Sequence, residues 1–152
     1  MWTTEVNVIT TAPPEAIWNR WMDLPTWSDW LKDFEWVRLD GDFTVGKWGT
    51  LKLRSGPTLI EKIAALRPWK WVLTEVEVNK GFSDRAPQFL GTMYFHHRLQ
   101  RVEGGTKVTQ RIEIGGPLGW LYARLVGKMF AERLPIAVKT LVSLVEQAQR
   151  GR

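Results

Sequence analysis

Between residues 34 and 114 the apolar residues recur with the two-residue period of strands, and the connections are too short to hold a crossover helix. Candidate strands are 34–40, 47–54, 57–66, 69–78, 91–101 and 106–114. Turn chemistry separates them: Asp40-Gly41-Asp42, Ser55-Gly56-Pro57, Arg67-Pro68 and Glu103-Gly104-Gly105. Short connections of this kind dictate antiparallel neighbours. Residues 2–10 add a strand with Val6 and Val8 on one side and Glu5 and Asn7 on the other, which makes about seven strands in one meander. The segment 79–90, NKGFSDRAPQFL, reads as the longest irregular stretch, and long loops in compact domains tend to be functional.

Helical period flanks this region on both sides. Pro13-Pro14 breaks the first strand, and EAIWNRWM reads as a short helix starting at Pro14 or Glu15, with Ile17, Trp18 and Trp21 as its apolar side. Asp23-Leu24-Pro25 stops it, and TWSDWLKD reads as a second helical piece carrying Trp27 and Trp30. Residues 118–149 read as one long helix. Val126, Phe130, Leu134, Ala137, Leu141, Leu144, Val145 and Ala148 share its apolar stripe, with Arg124, Lys128, Glu132, Lys139, Ser143 and Glu146 opposite. Pro135 inside it predicts a kink. The class is α+β: a sheet with a long amphipathic helix laid on it.

At 152 residues with 44% hydrophobic content, and with no repeat or linker, the chain reads as one domain over 1–152. The absence of cysteine excludes disulfides, thiolate metal sites and cysteine nucleophiles, and fits a reducing compartment such as the cytoplasm. The first residues show no basic segment followed by an apolar run, so no signal peptide is expected, and no apolar run is long enough to span a bilayer. The formal charge is +5. Residues 116–152 carry six basic residues (Arg124, Lys128, Arg133, Lys139, Arg150, Arg152) against Glu132 and Glu146. These alternate along a helix, which suits a solvated face rather than a nucleic-acid site; contact with an anionic membrane through this helix is the less favoured reading.

Particular residues carry a family resemblance. Ala12-Pro13-Pro14-Glu15-Ala16-Ile17-Trp18, followed by Asp23, Trp27 and Trp30, resembles the opening of the START-like polyketide cyclase/dehydrase and lipid-transport superfamily. Leu39-Asp40-Gly41 with Val45-Gly46, Gly105-Thr106-Lys107-Val108-Thr109, and Gly116-Pro117-Leu118 are similar to its later segments. The resemblance implies a helix-grip fold, in which a curved antiparallel sheet wraps around the last helix and two short helices follow the first strand. It also implies a deep, largely apolar cavity between sheet and helix. Members include lipid and hormone carriers, polyketide aromatases and cyclases, chaperone-ATPase activators and ring-hydroxylating oxygenase domains. The implied function is binding of a small hydrophobic molecule, whether lipid, acyl or polyketide-like. The alternative is a cyclase or dehydratase using the same cavity. No cofactor is expected: a facial iron site needs two His and a carboxylate, and His96 and His97 are adjacent on a strand, hence on opposite faces.

On TMYFHHRLQ, Met93, Phe95, His97 and Leu99 form the apolar face, so His97 is the candidate acid/base; a histidine satisfied by a neighbour is the bland alternative. Gln110 falls on the inward face of VTQRIEI and needs a partner, either His97 or a ligand. Arg133 and Tyr122 lie at the edge of the helical stripe, within reach of a pocket mouth, and Val126, Met129, Phe130 and Ala137 would form its helical wall. Trp18, Trp21, Trp27, Trp30 and Trp36 read as core. Trp48, Trp69, Trp71 and Trp120 sit near turns or the rim, with Trp48 and Trp71 taken as ligand-binding. Glu61, Glu75, Glu77 and Glu113 suit an exposed sheet face.

Overall fold

The strand-period segments form a single sheet in the computed structural model, which describes residues 1–151; Arg152, counted above among the C-terminal basic residues, lies outside them. The strands are β1 (Trp2–Thr10), β2 (Phe34–Leu39), β3 (Trp48–Leu53), β4 (Trp69–Glu77), β5 (Gly81–Pro87), β6 (Thr92–Val102) and β7 (Gly105–Gly115). All neighbours are antiparallel, in the order β1-β7-β6-β5-β4-β3-β2. The first strand therefore pairs with the last, which makes β1 and β2 the sheet's edges. The β6–β7 turn is two residues long because Gly104 adopts φ of 80°, a conformation that costs glycine nothing.

Helix α1 (Pro14–Met22) begins where the Pro13-Pro14 pair sets the helical φ, and a 3-10 turn over Leu24–Asp29 follows it. The long helix α3 (Gly119–Arg150) packs on β1 and β7. It buries Val126, Leu134, Ala137, Val138, Leu141, Val142 and Val145. Near its C-terminal end the Thr10 hydroxyl donates to Glu146 at 2.7 Å, tying β1 to the helix. The helix continues through Pro135 without a break, although that residue has no N–H to give to the ladder. This is the helix-grip arrangement.

Two segments differ from the sequence expectation. Residues 57–66, read as a strand, contain instead the helix α2 (Leu59–Ala64). A local capping box decides the matter: the Glu61 N–H donates to the Thr58 hydroxyl at 3.2 Å and the Thr58 N–H donates to the Glu61 carboxylate at 3.0 Å. Residues 79–90, read as irregular, contain β5. The turn before it needs only Asn79, at φ of 63°, and Phe82, Asp84 and Ala86 then alternate inward with Arg85 exposed. The expected total of seven strands thus stands with one member exchanged.

Candidate functional site

The concave face of the sheet collects large aromatic side chains that α3 does not fully cover. Trp21 and Trp30 are completely buried, and Trp18, Trp27 and Trp71 nearly so. Between this group and α3 lies a cavity of about 310 Å³. That is the low end of the roughly 300–1,000 Å³ range of small-molecule sites. Its wall is Trp27, Trp30, Trp71, Leu51 and Leu53 on one side, Phe95, His97, Gln110, Ile112 and Asp84 on the sheet floor, and Met129, Phe130, Leu134 and Ala137 from α3. Trp71 fits because its cross-strand partner on β3 is Gly49, where a Cβ would come within 2.5 Å of the indole.

Strand parity places His97 inward between β5 and β7, opposite Phe82 and Gln110. Phe82 stacks on its ring with centroids 4.1 Å apart, and Trp21 presents its edge at 5.4 Å. Its Nε2 lies 3.8 Å from the Asp84 carboxylate, long for a hydrogen bond, and Nδ1 is buried without a protein partner. Burial pushes the imidazole below its ordinary pKa, against the raising influence of Asp84. Burial likewise pushes the Asp84 carboxyl up, against the lowering influence of His97. Gln110 does not bond His97; its Nε2 is another buried, unpartnered atom, as are the indole nitrogens of Trp30 and Trp71. Four residues of one cavity wall therefore hold a polar nitrogen that the protein leaves unsatisfied, an arrangement that costs stability and is uncommon in native interiors.

The sign of the pH dependence follows from these directions. Between the ordinary carboxylate range and its raised native value, Asp84 holds a proton that the unfolded chain has released, so its contribution to stability falls as pH rises. Asp84→Asn removes this penalty. Its melting temperature is expected to exceed that of the unmodified protein at pH 7–8, with the gap closing towards pH 4, where unfolded Asp is itself becoming protonated. A gap that does not change with pH would remove Asp84 from this account. His97 adds an opposite slope, losing stability as pH falls below the ordinary imidazole range, because the unfolded chain takes up a proton that the buried ring refuses.

Eight of the expected ligand-binding residues meet at the cavity: Trp71, Phe95, His97, Gln110, Met129, Phe130, Arg133 and Ala137. Three do not line it. Trp48 has the outward parity of β3, is 43% exposed, and lies with the Arg85 guanidinium 6.0 Å from its ring. Val126 and Tyr122 lie N-terminal to the cavity on α3, where the helix packs on β1 and β7 and the Trp2 ring covers Gly127. The Tyr122 hydroxyl reaches only the Met93 sulfur at 3.8 Å, and burial keeps the phenol protonated. Trp36, expected in the core, is half-buried with Arg38 over its ring at 4.1 Å.

The wall also holds residues not expected there, among them Asp84, Trp27 and Trp30, and Glu61 bonds Arg133 of that wall instead of lying on an exposed sheet face. Glu61 accepts from the Arg133 guanidinium, which also faces Asp33 at 3.4 Å. The Thr58 backbone N–H first, and then Arg133, hold the Glu61 carboxyl below its ordinary pKa. On the opposite face of the sheet, His96 bridges the Ser83 hydroxyl at 2.8 Å and Glu113 at 2.6 Å, pointing away from His97. Among the described residues no group of three or more His, Asp and Glu is placed to hold a metal ion. A second depression of about 650 Å³, floored by Gly115, Gly116 and Gly119, has none of the unpartnered polar nitrogens in its wall.

Comparison with known proteins agrees with this architecture. The family model described as polyketide cyclase/dehydrase and lipid transport matches residues 1–146. The chain belongs to that family. No curated protein matches it. Among solved structures, a protein from Thermus thermophilus is 18% identical with a TM-score of 0.70, covering 97% of this chain and 99% of its own. A Nitrosomonas europaea protein is 15% identical with a TM-score of 0.73, covering 96% and 95%. The ZhuI aromatase/cyclase from a Streptomyces species is 11% identical with a TM-score of 0.72, covering 99% and 96%. At these identities the likeness is one of fold. No helix among the described residues is long and apolar enough to cross a membrane.

Proposed function

We propose that this member of the family binds a small, mostly apolar molecule bearing at least one oxygen acceptor, in the cavity between the sheet and α3. The observation that carries the reading is the wall itself: mostly aromatic and aliphatic, with Gln110, Trp30 and Trp71 among its residues each holding a buried N–H group that has no protein partner. Apolar burial supplies the affinity, at about 25 cal/mol per Å² removed from water. The three donors supply the preference, since a carbonyl, phenol or carboxylate oxygen satisfies a donor that an unsubstituted hydrocarbon leaves unpaired. The test is a titration followed by tryptophan emission, to which Trp27, Trp30 and Trp71 of the wall contribute, using pairs of flat ligands that differ by one ketone oxygen. The ketone is expected to bind about tenfold more tightly, equivalent to ~1.4 kcal/mol. Equal binding within each pair would discard the donor assignment.

A second reading, proton transfer on a polyketide-like substrate, is favoured by one observation. His97 is buried beside Asp84, with its pKa pushed down and its Nδ1 free of protein partners. A neutral imidazole at pH 7 is competent to accept a proton from an activated carbon, and a cavity that folds the chain into position supplies much of the rate. On this reading a poly-β-ketone is turned over by the unmodified protein and not by His97→Ala, whereas a carrier binds it unchanged.

A further inference from the structure

Helix α2 is amphipathic in the reverse sense. Its body-facing residues are Ile60, Glu61, Ala64 and, just past the helix end, Ala65, whereas Leu59, Ile63 and Leu66 are 72%, 54% and 73% exposed. Leu59 and Ile63, at i and i+4, share the outward side of the helix, and Leu66 is exposed just past its end. Ile136 on α3 is likewise exposed, at 62%, and lines the cavity three residues beyond the Arg133 that holds Glu61. Large apolar side chains clustered on a water-facing helix bury nothing there, and such clusters mark interaction surfaces.

The charge around α2 is equally one-sided. Residues 52–70 contain Lys52, Arg54, Lys62, Arg67 and Lys70 against Glu61 alone. That glutamate is already held by Arg133 and the Thr58 N–H. Arg54, Lys62, Arg67 and Lys70 are exposed, and none makes an ion pair among the described residues. Exposed aliphatic side chains in a segment rich in uncommitted cations are complementary to an anionic bilayer, with the aliphatic groups at the acyl boundary and the cations among the phosphates. A protein partner is the poorer match, because lysine and leucine are under-represented in interface cores and hot spots, where aromatic and arginine anchors dominate.

We propose that α2 and its flanks form a docking surface for an anionic lipid bilayer, set beside the mouth of the cavity. The surface differs from the basic stripe of α3, and docking does not depend on what the cavity holds. The test is flotation of the full chain with vesicles of phosphatidylcholine alone or mixed with phosphatidylglycerol, at low and high salt. Binding to the mixed vesicles, weak binding to phosphatidylcholine and weakening by salt are expected. Leu59→Ser/Ile63→Ser/Leu66→Ser and Lys62→Gln/Arg67→Gln should each reduce binding at least about tenfold. Both should retain the unmodified melting temperature and cavity affinity, since the altered side chains are exposed. The proposal is overturned if the unmodified chain ignores anionic vesicles, or if the triple variant floats as well as it does. Self-association that the triple variant abolishes, or capture of an acidic protein without vesicle binding, would also overturn it by assigning the surface to protein.

Discussion

Ala137→Trp is expected to abolish ligand uptake while leaving the fold in place. The Ala137 side chain is part of the α3 wall of the cavity, about two turns beyond Met129 and Phe130, across from the sheet floor that carries His97 and Gln110. An indole there has an apolar space of about 310 Å³ to enter, and it takes the room a ligand would need. Entering existing space is what separates this change from ordinary overpacking, whose cost of roughly 1–3 kcal/mol bounds the stability loss. Affinity for an apolar probe should fall by at least about 100-fold, equivalent to ~2.7 kcal/mol. The matched control is Leu125→Trp, at a 47% exposed position of α3 outside the cavity wall, which should change affinity far less. Saturable binding that survives Ala137→Trp unchanged would place the ligand elsewhere on the molecule.

The sequence was most legible where one physical rule acted alone. On β6 the two-residue period placed Met93, Phe95, His97 and Leu99 on the concave face without help from any other element, and they lie there. It was least legible where a local interaction overrode the pattern. Leu59, Ile60 and Ile63 look like strand residues, but Thr58 and Glu61 cap a helix within the same few positions. In β5 the obstacle was Asp84, a carboxylate on an otherwise apolar inward face, which breaks the alternation that identifies a strand. The cavity is what admits it: Asp84 sits in the wall beside His97, so the residue that hid the strand belongs to the candidate site. On α3 one apolar stripe serves two purposes in succession, which is why Val126 and Ala137 look alike in sequence and lie in different places. Which tryptophan turns inward depends on packing between elements distant in the chain, as with Trp71 over Gly49, and period alone does not reach that far.

The second large effect is expected at Trp21, which never touches the cavity. Trp21 is completely buried on α1, edge-on to Trp18, Phe82 and His97 at ring separations of 6.4, 5.4 and 5.4 Å. Truncating a buried indole to a methyl costs roughly 3–5 kcal/mol, because the neighbours only partly close the space. For a chain of this size Trp21→Ala should therefore lower the melting temperature by roughly 6–20 °C. A shift within about 2 °C would mean that the aromatic cluster repacks freely. The site should feel the loss as well. His97 is held below its ordinary pKa first by burial, and Trp21 is one wall of that burial, with the stacked Phe82 ring as another. Removing the indole admits water beside the imidazole, so its pKa should move back towards the ordinary histidine value in a proton NMR titration. Trp21→Phe separates the two consequences: it keeps much of the wall and the whole backbone, including the Trp21 carbonyl that accepts from the Trp27 indole at 2.9 Å. That bond fixes a tryptophan of the cavity wall to the end of α1, so the phenylalanine variant should keep ligand affinity while giving up part of the stability.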